Sequence, residues 1–528
     1  MTDYQITVRN KYIILPVNMY SKLKKIRFYE KGKLVWDIDA HIDFTNPRFF
    51  TYVNISHLIG KTLVVASEPE IDMDFSFADE IPEQGYYSEE FRPLVHFSAR
   101  IGWINDPNGL VYANDTYHMF FQHNPADSSW GNMTWGHAIS KDLVHWRELE
   151  SALQPDELGT VFSGSGIVDY KNVSGLKSGD LPPVLLFYTA AGGNSALSAG
   201  KPHTQCMAYS TDGGMTFRKY TGNPVIGHIE GGNRDPKVTW CEELGRHILA
   251  LYIDRDEYAL FCSDDLIHFT ELQRIHLRGD GECPDIYPVE PENEPGTRRW
   301  IFSGASDRYL VRYFKNGKYA VIQESKPYFY GKRKSYAAQT FSDVPGRRIK
   351  VAWDVLHAPE SVFENQMGIP CLVSLCKIGD EYRLRTLPVS EFETLRINSE
   401  VMTMSRDGII RLPLCRSAYD IELTAPSDSP DFDIRFFGYE FNIRPSRNSF
   451  VCGDTEMPLS YTGKSVKLRI ISDVLGCEIF ADDGLIYTVV GPAADYGIRY
   501  LTVSFTKAGQ AQSSDNVRLC IHTLKSIW

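Results

Sequence analysis

The sequence predicts an all-β chain: a five-bladed β-propeller followed by a C-terminal β-sandwich, with an extra small β domain at the N-terminus. Three observations carry this expectation. Apolar and polar positions alternate between short turn clusters along the chain, and no helical period runs beyond about three turns. The 29 Tyr, 28 Phe and 9 Trp are an aromatic supply that favours strands or stacking surfaces. A weak repeat recurs in the middle: Ser140, Asp142 and Trp146; then Ser210, Asp212 and Phe217; then Ser263, Asp265 and Phe269. Recurrent units of this size suggest propeller blades, each a four-stranded sheet, and about 300 residues at that spacing make five.

Taken in order, residues 1–85 form a first β-rich block, with ITVRNKYIILPV and KTLVVASE as strand-like runs. Lys11–Val17 reads as one strand of it. The stretch IPEQGYYSEEFRP, carrying Pro82, Gly85 and Pro93, marks a boundary. A central block, 94–395, holds the repeat, with strands at Tyr117–Gln122 and Val184–Thr189. Residues 401–528 again alternate strands and turns, as at Lys467–Ile471. There Asp482, Asp483 and Gly484 between two apolar runs are a hairpin signal, and the block reads as a β-sandwich.

The chain has 528 residues, 43% hydrophobic and 23% charged, a balance able to bury real cores. Its net charge of −12 repels a phosphate backbone and argues against nucleic acid as a main partner. No stretch approaches the roughly 18 apolar residues of a membrane span. The start, MTDYQITVRN, lacks the basic-then-apolar layout of a signal peptide. The ten cysteines include no CxxC and read as reduced, mostly buried thiols. The expected compartment is the cytoplasm, with a processed secreted form as the alternative.

Several common catalytic signatures fail. A phosphate loop needs Gly five residues before Gly463, where Pro458 stands, so TGKS at 462–465 does not qualify. FSGSG places Ser163 where a nucleophile elbow around Ser165 needs Gly. His118 and His123, five apart on a strand, point to opposite faces and read as structural or surface residues.

Three acids stand apart: Asp106 in WINDPNG, Asp235 in GGNRDPKV and Glu282 in GECPDIYP. Gly, Pro or Asn around each sets it where a strand gives way to a turn, and turn capping is the plain alternative at any one of them. Such chain ends present catalytic side chains on a rigid scaffold. In a propeller the inner strands share one central pocket, so residues far apart in sequence can meet there. Paired carboxylates are what glycosidic cleavage needs. One gives a proton to the leaving oxygen, and the other attacks or supports the oxocarbenium-like centre. Trp103, Trp130, Trp135 and Trp146 suit a sugar site, although core packing is expected to claim at least half of them.

The ordered series WINDPNG, YHMFFQHNP, WGHAISKDLVHW, FSGSG, RDPKV and GECPD resembles glycoside hydrolase family 32, the β-fructosidases. The resemblance covers residues 94–395 well and the tail more loosely; the first 85 residues are an addition many members lack. It implies a five-bladed propeller and a sandwich, and a retaining hydrolase. The expected reaction cleaves terminal β-D-fructofuranosyl linkages of sucrose, fructooligosaccharides or fructans through a covalent fructosyl-enzyme. By resemblance Asp106 is the nucleophile, Glu282 the acid/base, and Asp235, beside Arg234, the carboxylate that binds fructose hydroxyls. Asn105, Gln122, Trp130, Phe162 and Ser163 are implied to shape the fructose subsite. Asp106 must then stay ionised, while Glu282 needs a pKa raised by burial and by its anionic neighbours. No metal or organic cofactor is implied.

Two departures bear on substrate choice, and both are expected at or near the pocket rim. Ile369–Leu372 stands where the family often has Pro-Arg-Glu-Leu, and Trp353–His357 replaces a Trp-rich stretch. A fructosyltransferase or a sucrose-6-phosphate hydrolase on the same site are the alternatives. A non-catalytic sugar-binding protein would be expected to have lost a carboxylate, and the WINDPNG and RDP surroundings argue against an arabinoside-cleaving propeller.

Overall fold

Period-two burial shapes much of the chain. In Glu381–Pro388 and Tyr439–Arg444, alternate side chains go to the core and outward, the pattern of strands with one wetter face. Thr116–Asn124 and Val184–Ala191 are buried at every position, so these strands lie inside a stack of sheets. The computed structural model describes residues 4–331, 334–404, 408–460, 465–506 and 517–528. Residues 1–3 of the chain's start and 462–464 of the TGKS stretch lie outside these described residues. Among the described residues, no helix is long and apolar enough to cross a membrane.

The middle of the chain folds into five successive antiparallel sheets. Their inner strands are Gly102–Ala113, Thr160–Val168, Arg234–Cys241, Asp285–Val289 and Ser335–Thr340. These strands touch one another in that order, and the fifth returns to the first, closing a propeller ring. A short strand, Phe363–Glu364, reinforces the closure by pairing in parallel with Gly102 and Trp103 of the first sheet.

The sequence repeat marks the turn from third to fourth strand in three of these sheets. Ser140 donates to Asp142 at 3.0 Å, Ser210 to Asp212 at 2.6 Å and Ser263 to Asp265 at 3.1 Å. The same carboxylates accept backbone amides just beyond, as Asp142 does from Val144 and His145. The aromatic residue of each unit then meets a partner ring: Trp146 with Phe97, Phe217 with Phe120, and Phe269 with Phe187.

The described strands from Arg396–Thr403 to Arg518–Leu524 build two six-stranded sheets around a core that includes Phe432, Ile434, Phe441, Leu468 and Ile479. The Asp482–Gly484 hairpin forms, with positive φ at all three residues. His96 latches this sandwich to the propeller. Its Nδ1 lies 2.8 Å from Asp473 and its Nε2 2.9 Å from Glu478, both on the sandwich. Burial alone would lower the His96 pKa, but the two carboxyl groups outweigh it and raise it to about 10, so the ring is an imidazolium at neutral pH.

Tyr4–Ala78 forms a four-stranded and a three-stranded sheet around its own core of Ile13, Leu15, Ile26, Phe28 and Val65. This block rests on the first propeller sheet through polar contacts. The His41 amide and ring both meet Asp127 at 2.7 Å, and Asn132 bridges the amide and carbonyl of Asp39. All ten cysteines are free thiols and seven are buried, which matches the reading from their spacing.

Candidate active site

Four of the five inner strands slip register near the same end. The ladder breaks between Ile104 and Pro107, between Phe162 and Gly164, between Arg234 and Lys237, and between Tyr336 and Gln339. A bulge lifts a residue out of the ladder and re-aims its side chain. The residues within or beside these breaks include Asp106, Ser163, Asp235 and Tyr336. Glu282 comes from the segment just before Asp285–Val289. Asp235, Glu282 and Cys283 adopt φ of 65°, 59° and 34°, a left-handed conformation that costs a non-glycine residue about 1–3 kcal/mol. Strain of that kind persists only where surrounding contacts enforce it.

Those contacts converge on the three carboxylates. Asp106 accepts from Ser163 Oγ at 2.6 Å and from Asn105 Nδ2 at 3.1 Å. The Cys283 thiol lies 3.3 Å from Asp106 and 3.5 Å from Asp235, so one sulfur touches both acids. Asp235 also accepts the Cys283 amide at 3.0 Å, and its own amide donates to Thr189 Oγ1. Glu282 is clamped from both sides: Arg234 donates to Oε1 and the Tyr336 hydroxyl to Oε2, each at 2.6 Å.

Charge is distributed unevenly across this recess. Burial raises the Asp106 carboxyl above its ordinary range, against hydrogen bonds from Ser163, Asn105 and Cys283 that favour the anion. Burial likewise pushes Asp235 up to about 6; Arg234 opposes that rise and the Asp106 charge adds to it. Burial would lower the Arg234 pKa, yet Asp235 and Glu282 hold it above the ordinary value, so the guanidinium stays charged. Burial, followed by the charges of Asp106 and Asp235, keeps the Cys283 thiol protonated and able to donate.

The other sequence-identified residues take distinct places. Gln122 is buried and donates to the Val161 carbonyl, bracing the strand that carries Ser163 rather than touching a carboxylate. Trp130 is 54% exposed and meets Phe162 edge-on at 6.0 Å. Trp103 orients Asn105 through an indole hydrogen bond at 3.0 Å, whereas Trp135 and Trp146 are buried. Trp353 stands beside Trp103 and Tyr336, so that departure does border the recess. Ile369–Leu372 does not lie at the rim as expected. Ile369 and Cys371 are buried in the core shared with the sandwich, and the Ile369 amide donates to Glu478. The expected burial of Glu282 is not met either, since its side chain is 37% exposed and faces a cation.

Sequence reasoning missed Cys283 and Tyr336. Cys283 directly follows Glu282, inside a motif the sequence already singles out. Tyr336 sits in an ordinary strand sequence, SYAAQT, with no local signal. Two other clusters bring metal-capable groups together among the described residues: Glu422, Cys520 and His522, and His96, Asp354 and Glu478. Both His96 nitrogens are engaged by carboxylates, and Arg396 pairs with Glu422.

Comparison with known proteins bears on the family and the fold. Residues 96–384 match the glycosyl hydrolases family 32 N-terminal domain. A levanase from Bacillus subtilis is 30% identical, across 86% of this chain and 74% of its own length. An invertase from Schizosaccharomyces pombe is 32% identical, across 69% of this chain and 65% of its own. An exo-inulinase structure from Aspergillus awamori shares the fold, with a TM-score of 0.74 at 23% identity, covering 84% of this chain and 100% of that one. With more than half of its residues matched by the family model, this chain belongs to glycosyl hydrolase family 32.

Proposed function

We propose that the chain is a retaining β-fructofuranosidase that releases fructose from sucrose or from the ends of fructans. The observation that carries this reading is the recess in which Asp106 and Asp235 share the Cys283 thiol while Asp235 and Glu282 share Arg234. In the first step an Asp106 oxygen bonds to the anomeric carbon of fructose as the glycosidic C–O bond breaks. The leaving oxygen takes the proton of Glu282. In the second step Glu282, now an anion, takes a proton from water, whose oxygen displaces Asp106 with overall retention. Arg234 has donors and no acceptor, whereas a tyrosine hydroxyl can do both, so the Glu282 proton belongs on Oε2, beside Tyr336. Asp235 steadies the positive charge that grows on the sugar ring.

Incubation with sucrose, sucrose-6-phosphate, inulin and levan, followed by product chromatography, tests the reading. Free fructose as the main product supports it. Lengthening oligosaccharides would make the enzyme a fructosyltransferase, and turnover of sucrose-6-phosphate alone would make phosphate part of the substrate.

The pH dependence follows from the two raised carboxyls. A raised pKa means the proton leaves only at higher pH, and both Asp106 and Asp235 must be anions to act. The low-pH limb of kcat/KM is therefore expected near the value of about 6 held by Asp235, well above the ordinary aspartate value of about 3.9. Asp235→Asn should move the limb downward and cut kcat by about 10²–10³-fold, with a smaller change in KM. A limb at the ordinary aspartate value in the parent enzyme, or a pure KM effect in the variant, contradicts the role.

A further inference from the structure

We propose that the N-terminal sheets and the first propeller sheet together form a groove that binds the remainder of a fructan chain whose terminal unit lies at Asp106. This rests on the fructosidase reading above and assigns the N-terminal block a part in substrate choice. A cavity of about 530 Å³ lies between the two bodies, a volume in the ordinary range for ligand sites. Trp36 and Tyr52 contribute from the N-terminal side, and Trp130, Leu149 and Ser151 from the propeller side. Trp130 connects groove and recess: it lines the first and meets Phe162, whose neighbour Ser163 holds Asp106.

The lining suits a neutral polyol rather than an anion. Four carboxylates, Asp37, Asp39, Glu148 and Glu150, face it against the two guanidinium groups of Arg100 and Arg147. Carboxylate oxygens accept hydrogen bonds, which matches the donor hydroxyls of a sugar chain. They are held in place by the protein itself. Arg27 donates to Asp39 at 2.7 Å, Tyr87 to Glu148 at 2.9 Å, and Lys11, Tyr12 and Asn54 all to Glu150. The groove's width is fixed too, because Asn132 grips Asp39 and the Ala196 amide donates to Asp37 at 2.7 Å. Acceptors fixed in advance beside aromatic faces lose little freedom when a chain binds.

Two variants test the groove without touching the carboxylate recess. Tyr52→Ala removes one aromatic wall, and Ser151→Trp fills the space. Each is assayed on sucrose and on long inulin and levan chains, with the melting temperature recorded. On the chain that the parent enzyme cleaves, kcat/KM is expected to fall about tenfold, equivalent to about 1.4 kcal/mol, mainly through KM. On sucrose, which has a single sugar unit beyond the fructose, it should stay within about twofold of the parent. Equal losses on sucrose and chain, or no loss on the chain, overturn the proposal. A parent enzyme that frees fructose from none of these substrates fails at the functional reading itself and takes the groove with it.

Discussion

Asp106→Asn should lower turnover of sucrose by at least about 10⁴-fold, the scale on which removing a covalent nucleophile acts, while KM changes little. An amide has no anion to form the bond to the anomeric carbon, yet it has the same shape. The Asn105, Ser163 and Cys283 contacts can be largely retained, because Ser163 can turn its hydroxyl to accept from the new NH₂. Stability should not fall. Burial raises the Asp106 pKa above the unfolded value, so the ionised form at neutral pH is the one the fold disfavours. A neutral side chain removes that penalty, and the melting temperature is expected to equal or exceed that of the parent at pH 7. At a pH below both pKa values the difference should vanish, since the parent is then protonated as well. Parent-like turnover in a verified Asp106→Asn protein would remove Asp106 from the reaction.

The parts of this site legible in the sequence are those whose backbone needs leave a mark. Asp235 and Glu282 take positive φ, and the Gly, Pro and Asn around them signal a break in the strand. The Ser-x-Asp units are legible for the same reason: each must close a tight turn by side-chain hydrogen bonds, which restricts the residues that serve. Tyr336 leaves no mark because its role depends on where the fifth sheet packs against the fourth, which carries Glu282. A tyrosine in a strand is otherwise ordinary core material. Glu282 shows the limit on the electrostatic side. Its anionic neighbours are foreseeable, but its exposure and the direct grip of Arg234 depend on side-chain directions that spacing does not encode. The displaced expectation for Ile369–Leu372 has a similar origin, since an apolar stretch reads alike at a pocket rim and at a buried contact with a second domain.

Glu282→Gln should reduce sucrose hydrolysis by about 10²–10⁴-fold, the usual range for a positioned acid/base. The amide can keep the clamp, accepting from Arg234 through its oxygen and donating to the Tyr336 oxygen. What it lacks is a proton to give and, later, a base to take one from water. An activated aryl β-fructofuranoside separates the two duties, because its leaving group departs without a proton. The first step should then survive and the second should stall, giving a burst of one aryl alcohol per enzyme followed by slow release of fructose. If the first step on this substrate slows as severely as on sucrose, the acid is another residue.

The stalled state also makes a covalent bond between fructose and Asp106 directly observable. Glu282→Gln is mixed with the aryl fructoside, quenched in acid within the burst, digested and read by mass spectrometry. The peptide containing Asp106 should carry the added mass of one fructosyl unit, and no adduct should form when Asp106→Asn is combined with Glu282→Gln. A burst with no adduct, or an adduct on Asp235 or elsewhere that persists in the double variant, would contradict a covalent bond to Asp106.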